Sequence, residues 1–136
     1  MKTLFCSILL SLMSLQAFAG IAVIVHPDNA SSLDKKAISN IYLGKTKSFP
    51  GGGQAVPINL DSGLPMREDF DANVLGKSSS QLKSYWSQKV FTGKGTPPKE
   101  MANDDEVIKL VSSNPNIIGY IDSSKVNDSV KVAAEF

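Results

Sequence analysis

Cysteine is almost missing from this 136-residue chain; the one present is Cys6. It falls inside residues 1–19, which read as a secretory leader. Met1-Lys2 is a short basic start, Leu4 to Leu15 is mostly apolar, and Ala17-Phe18-Ala19 is a small-x-small cleavage site before Gly20. Cleavage after Ala19 leaves a chain without cysteine, so stability has to come from a packed core rather than from disulfides. Cys6 also lies too far before the cleavage site to become the first residue of a lipoprotein. Histidine is equally scarce, with His26 alone. One histidine and no cysteine make a poor transition-metal site, so neither a metal nor another cofactor is expected. Charge of either sign is not in excess: without Lys2, the 14 basic residues fall level with the 13 acidic ones. No basic stripe marks a nucleic-acid surface and no polybasic run marks a lipid anchor. No stretch after the leader approaches the ~20 apolar residues of a membrane span, so no membrane insertion is expected. The mature protein is expected to be periplasmic or secreted.

What is present reads as one domain over residues 20–136, too short for two good cores. Ile21-Ala22-Val23-Ile24-Val25 is a continuous β-branched run, as in a strand buried on both faces, and His26-Pro27-Asp28-Asn29 ends it. His26, without an acidic or nucleophilic neighbour, reads as a surface or capping residue. Ser31 or Ser32 can cap a helix carrying Leu33, Ala37, Ile38, Ile41 and Tyr42 on one face, with Gly44 to stop it. Gly51-Gly52-Gly53 lies in a turn-rich connection, a hairpin loop or a flap. It is not a phosphate loop, because no Gly-Lys-Ser/Thr ending or helix follows. Val56, Ile58 and Leu60 alternate as in a short strand. A helix then begins at Pro65, and Ser79 or Ser80 can cap the next, whose Leu82, Tyr85, Trp86, Val90 and Phe91 form a stripe expected to face the core. Asn103 caps a helix with Asp104, Asp105 and Glu106 in its first turn, where the helix dipole favours negative charge. Ile117 to Ile121 returns as a strand, and Val130-Lys131-Val132 suits a final one. Strands alternating with helices predict an α/β fold, with α+β the alternative: one mixed sheet packed with helices.

The best candidate for chemistry is the strand-to-helix junction in Asn59-Leu60-Asp61-Ser62-Gly63-Leu64-Pro65-Met66-Arg67. N–H groups of a first helical turn lack intrahelical acceptors and carry the positive end of the dipole, so they can hold an anion. Pro65 suits the first helical position, Ser62 offers a hydroxyl, Gly63 allows close backbone approach, and Arg67 brings a planar fork suited to oxyanions. The plain structural alternative is a simple turn, with Arg67 paired to Glu68 or Asp71. An enzyme has little support. A Ser–His–Asp hydrolase would have to use His26 without a nucleophile elbow, and the acids at residues 104–106 read as helix-start charges rather than a glycosidase pair.

Several segments, in order, resemble the periplasmic phosphate-binding component of phosphate ABC transporters (PstS-like). They are Ile41-Tyr42-Leu43-Gly44-Lys45, the Phe49-Pro50-Gly51 turn, Asp61-Ser62-Gly63, Phe70, Tyr85-Trp86, Phe91-Thr92-Gly93-Lys94-Gly95 and Asn114-Pro115-Asn116-Ile117-Ile118-Gly119-Tyr120. The resemblance implies a single lobe of the periplasmic-binding-protein type, the one carrying the family's Ser-Gly-Thr turn, with Ser62 and Gly63 supplying hydroxyl and backbone N–H contacts. Leu64 and Arg67 complete the expected anion site, Arg67 from the reading of this helix start and not by family correspondence. Leu64 stands where the family has threonine and Ile58 where it has arginine; Arg67 is then a replacement charge from the helix side. The family's clamp has a second lobe, which includes its acidic acceptor for phosphate's proton. The function implied is an exported, non-enzymatic module that recognises phosphate or a similar oxyanion. Its partners would be an ABC permease, or a second copy or another protein supplying the other lobe. The alternative is a one-lobe domain that has lost its ligand and serves interaction, sensing or envelope structure.

Overall fold

A computed structural model describes residues 20–136, so the leader expected at 1–19 lies outside the described residues. Five strands form one mixed sheet in the order β3-β2-β4-β1-β5. Its interior strands are β1 (Ile21–Val25), β2 (Val56–Leu60) and β4 (Ile117–Asp122); β3 (Lys99–Met101) and β5 (Lys131–Glu135) are the edges. β1 is antiparallel to β4 and to β5, whereas β2 runs parallel to both β4 and β3. The apolar run in β1 is buried at every residue, as its composition predicts for an inner strand covered on both faces.

The covering follows from the alternation of side chains along β4. Gly119 points at α4 (Asp104–Ser113), where an added Cβ would sit 2.6 Å from Val107 Cγ1. Tyr120 points the opposite way and stacks on Phe70, with centroids 3.7 Å apart. Phe70 closes α2 (Pro65–Phe70), and Tyr42 from α1 (Lys35–Tyr42) meets it edge-on at 4.8 Å. The Tyr42 hydroxyl donates to Ile58 O at 2.8 Å, which satisfies the one polar side-chain atom of that buried ring. No helix of the described residues is long and apolar enough to cross a membrane.

Several expectations need correcting. The cap of α1 is Asp34, whose carboxylate accepts from Ala37 N–H at 2.7 Å, because Leu33 is drawn into the core and the helix starts after it. Ser78, in a capping box with Gln81, caps α3 (Ser79–Phe91) rather than Ser79 or Ser80. The stripe on α3 is not core: Leu82 is buried, Tyr85 and Trp86 are half-buried, Val90 is 51% exposed and Phe91 is 92% exposed. β3 has no periodicity to announce it in three residues, two of them charged. Residues 71–75 continue α2 as a single π-helical turn ending at Gly76, which takes a left-handed φ of 65°.

Candidate functional site

β2 ends at Leu60, and the chain turns through Asp61, Ser62 and Gly63 before α2. The Leu64 N–H donates to Asp61 O at 3.0 Å and closes the turn. Leu64 is extended (φ −84°, ψ 137°) and caps the helix, while Arg67 and Glu68 N–H return to its carbonyl at 3.0 and 3.3 Å. The N–H groups of Ser62, Gly63 and Met66 find no backbone acceptor among the described residues. Gly63 lacks a positive φ, and a Cβ there would meet nothing within 4 Å, so glycine is not needed for the turn itself. Its bare backbone matters only to something approaching from outside. Ser62 and Gly63 are exposed, whereas the Leu64 side chain packs against the core. Of the four residues expected at an anion site, Ser62 and Arg67 line one groove, Gly63 is exposed in the turn between them, and Leu64 packs its side chain against the core.

Arg67 is held on three sides. Its Nε donates to Asp71 Oδ2 at 2.9 Å, and its Nη1 donates to Leu60 O at 2.8 Å and to Glu100 Oε1 at 3.0 Å. The pairing with Asp71 is the i,i+4 contact open to any helix. Glu100 reaches Arg67 through the sheet, since parallel pairing of β2 with β3 sets it beside Asn59. Nothing in the sequence near residue 59 points to position 100. Burial works against the Arg67 charge, but the Asp71 carboxylate and the bond to Glu100 outweigh it and hold the guanidinium firmly protonated. Asp71 is raised as well, but by a different cause. Burial lifts its pKa above the ordinary 3.8, Arg67 opposes this, and the charges of Glu100 and Glu68 add to the rise. One cation is serving two carboxylates, and Asp71, only 2% exposed, keeps its Oδ1 without a hydrogen-bond partner.

Behind this group, buried Asn59 accepts from the Tyr120 hydroxyl and from Leu60 N–H, which fixes the end of β2. Burial keeps Tyr120 protonated across the physiological range. His26 lies apart from the junction and accepts from Asp28 N–H at 3.1 Å in its own turn, as a capping residue does.

The junction forms one wall of an open groove of about 970 Å³. Ser62, Arg67, Glu68, Asp71 and Glu100 line that wall; Leu82, Trp86, Val90 and Phe91 of α3 line the facing one. Sequence reasoning missed the groove because it buried the α3 stripe in the core.

No family model matches the sequence, and no curated protein matches it. Solved structures do. A protein from Clostridium perfringens described as a phosphate ABC transporter substrate-binding protein, with bound phosphate, superposes with a TM-score of 0.64 at 27% identity, over 83% of this chain and 43% of its own. An ABC-type phosphate transport receptor from Vibrio cholerae gives 0.65 at 18% identity, over 83% and 44%. PstS from Borrelia burgdorferi gives 0.60 at 16% identity, over 85% and 47%. The chain spans less than half the length of each of these proteins. The resemblance drawn from its ordered segments holds at the level of the fold, an α/β lobe like those of the phosphate ABC transporter substrate-binding proteins.

Proposed function

We propose that this chain binds phosphate or a closely similar oxyanion at the strand-to-helix junction, without catalysis, as an exported binding module whose mature part is residues 20–136. The observation that carries the reading is the juxtaposition at residues 62–67. Three backbone N–H groups without backbone acceptors and the Ser62 hydroxyl stand beside a guanidinium held in place by three bonds. Amides at a helix start and a fixed Arg are the donors that a small tetrahedral anion needs. The Clostridium perfringens neighbour, of the same fold, holds phosphate. Carboxylates within reach of Arg67 give this site a bias. A fully ionised anion meets Glu100 and Asp71 as like charges, whereas an oxyanion that keeps a proton can donate to them. Phosphate retains a proton near neutral pH and sulfate does not.

Ser62 and Arg67 line an open groove, where water competes for every hydrogen bond and Coulomb attraction is screened. A second protein surface over the groove, from another copy or a permease, would exclude that water and tighten binding. The competing reading is a lobe that no longer binds a ligand, and one specific observation favours it. Arg67 already has partners for Nε and Nη1 inside the chain, so its role is met by structure alone.

Calorimetric titration with phosphate, using sulfate as control, separates the two on wild type, Ser62→Ala and Arg67→Ala. Saturable heat with phosphate that weakens at least about tenfold in Ser62→Ala supports the site, since a hydrogen bond to a charged group is worth ~1.5 kcal/mol or more. Loss in Arg67→Ala counts only if its circular dichroism is that of wild type. Absence of heat at millimolar phosphate in the wild type would sink the reading and leave the interaction role.

A further inference from the structure

We propose that the groove beside the junction takes a phosphomonoester with an apolar body, its phosphoryl head at Ser62 and Arg67 and its body along α3. The inference rests on the oxyanion reading and names the ligand class for the same site. Free phosphate would leave most of the open groove empty: about 970 Å³ has room for a whole organic ligand of a few hundred daltons.

The two walls differ in chemistry. Leu82, Trp86 and Val90 recur at every fourth residue and run along the groove on one face of α3, with Phe91 beside them and Pro97 at the end of the same wall. That spacing is the pattern of a helix made to bury one side. Among the described residues its C-terminal end is uncovered, with Val90 and Phe91 51% and 92% exposed, while Leu82 is buried and Trp86 half-buried. The facing wall carries Ser62 and Arg67 beside Asp71 and Glu100, and Asp71, only 2% exposed, has a buried Oδ1 without a hydrogen-bond partner. A monoester whose phosphoryl group keeps its last proton offers both kinds of atom: oxygens for the amides and Arg67, and an O–H for the Asp71 or Glu100 carboxylate. The remaining ester substituent points away from the junction and has α3 to lie against. Lys83, Ser79 and Ser80 at the groove's margin suit a polar end on that substituent.

Titration with phenyl phosphate alongside inorganic phosphate tests this, with the ratio of the two dissociation constants as the readout. Wild type is expected to prefer phenyl phosphate by about tenfold or more, the increment of covering one aromatic ring with apolar surface. Val90→Ser/Phe91→Ser is expected to bring the ratio close to one, and Ser62→Ala to weaken both ligands while the ratio stays. Because the ester's second ionisation lies near pH 6, its affinity is expected to be higher at pH 5.5 than at pH 8. Equal affinity for both ligands in wild type would overturn the ester and leave the phosphate reading standing. No binding of either would overturn both. An ester preference untouched by the α3 variant would remove α3 from the site and refute the assignment. So would a wild-type dimer that the α3 variant dissolves with no ester preference, since a second copy would then own the groove.

Discussion

At the scale of single residues, Arg67 joins stability to the proposed binding. Its guanidinium neutralises a carboxylate that is almost wholly out of water, so Arg67→Ala leaves Asp71 buried and unpaired. A loss on the order of 3 kcal/mol is expected in urea unfolding, because removing one partner of a buried pair strands the other charge. Gly63 gives the complementary test. A side chain there meets no atom within 4 Å and no left-handed backbone, so Gly63→Val is expected to change stability by less than about 0.5 kcal/mol. It should nevertheless abolish phosphate binding, because its branches occupy the approach to the Ser62 and Gly63 amides. Asp71 sets a pH dependence whose sign follows from its raised pKa. Between the ordinary carboxylate value of 3.8 and Asp71's higher one, the native state binds more protons than the unfolded state. Stability from this residue is therefore full below 3.8 and is lost as pH rises through the higher value. Urea midpoints of wild type measured across the acid range should show a falling component that Asp71→Asn removes. The turn through Ser62 and Gly63 into the helix of Arg67 was legible in the sequence as a strand-to-helix junction. Glu100 was not, because only strand pairing sets it beside Arg67, and pairing partners leave no mark in a three-residue strand.

At the scale of elements, the sequence was most readable in its continuous apolar runs and at its helix starts. The β-branched runs of β1 and β4, the acidic first turn of α4 behind Asn103 and the Pro65 start of α2 all stand where composition placed them. α3 shows the limit of such reading. A stripe at helical spacing says that a face is apolar, and it says nothing about whether this chain covers it. Here the helix is tied to the body by Leu82 and by Tyr85 Oη and Lys89 Nζ, which donate to Leu43 O at 2.6 and 3.2 Å. Replacing Val90 and Phe91 by serine is accordingly expected to leave the urea midpoint nearly unchanged. α4 behaves oppositely, since it packs on β4 through a glycine. A methyl at Gly119 would stand 2.6 Å from Val107, itself 1% exposed and without room to retreat. Gly119→Ala is expected to cost about 1–3 kcal/mol by overpacking, and the urea midpoint would show it.

At the scale of the whole molecule, the sheet order places the candidate site where the strand direction supplies it. β2 and β4 run parallel, β3 extends the same direction, and the C-terminal end of β2 delivers the chain to the turn from which α2 departs. Helices on both faces leave the strand ends open, and in open α/β sheets ligands bind at the carboxyl ends of strands. The likeness to phosphate-binding structures covers most of this chain and less than half of theirs. One mixed sheet packed with helices was legible in the sequence, as observed, but not the strand order, which depends on pairings between residues far apart in sequence. Whether the ligand follows the fold is decided at the turn itself. The most direct measurement is a two-dimensional amide NMR titration of residues 20–136 with phosphate, with sulfate as control. Saturable shifts centred on the Ser62, Gly63 and Met66 amides and the Arg67 side chain, with phosphate and not with sulfate, are the expected result. Shifts elsewhere, or none at millimolar phosphate, would contradict the assignment of this junction as an oxyanion site.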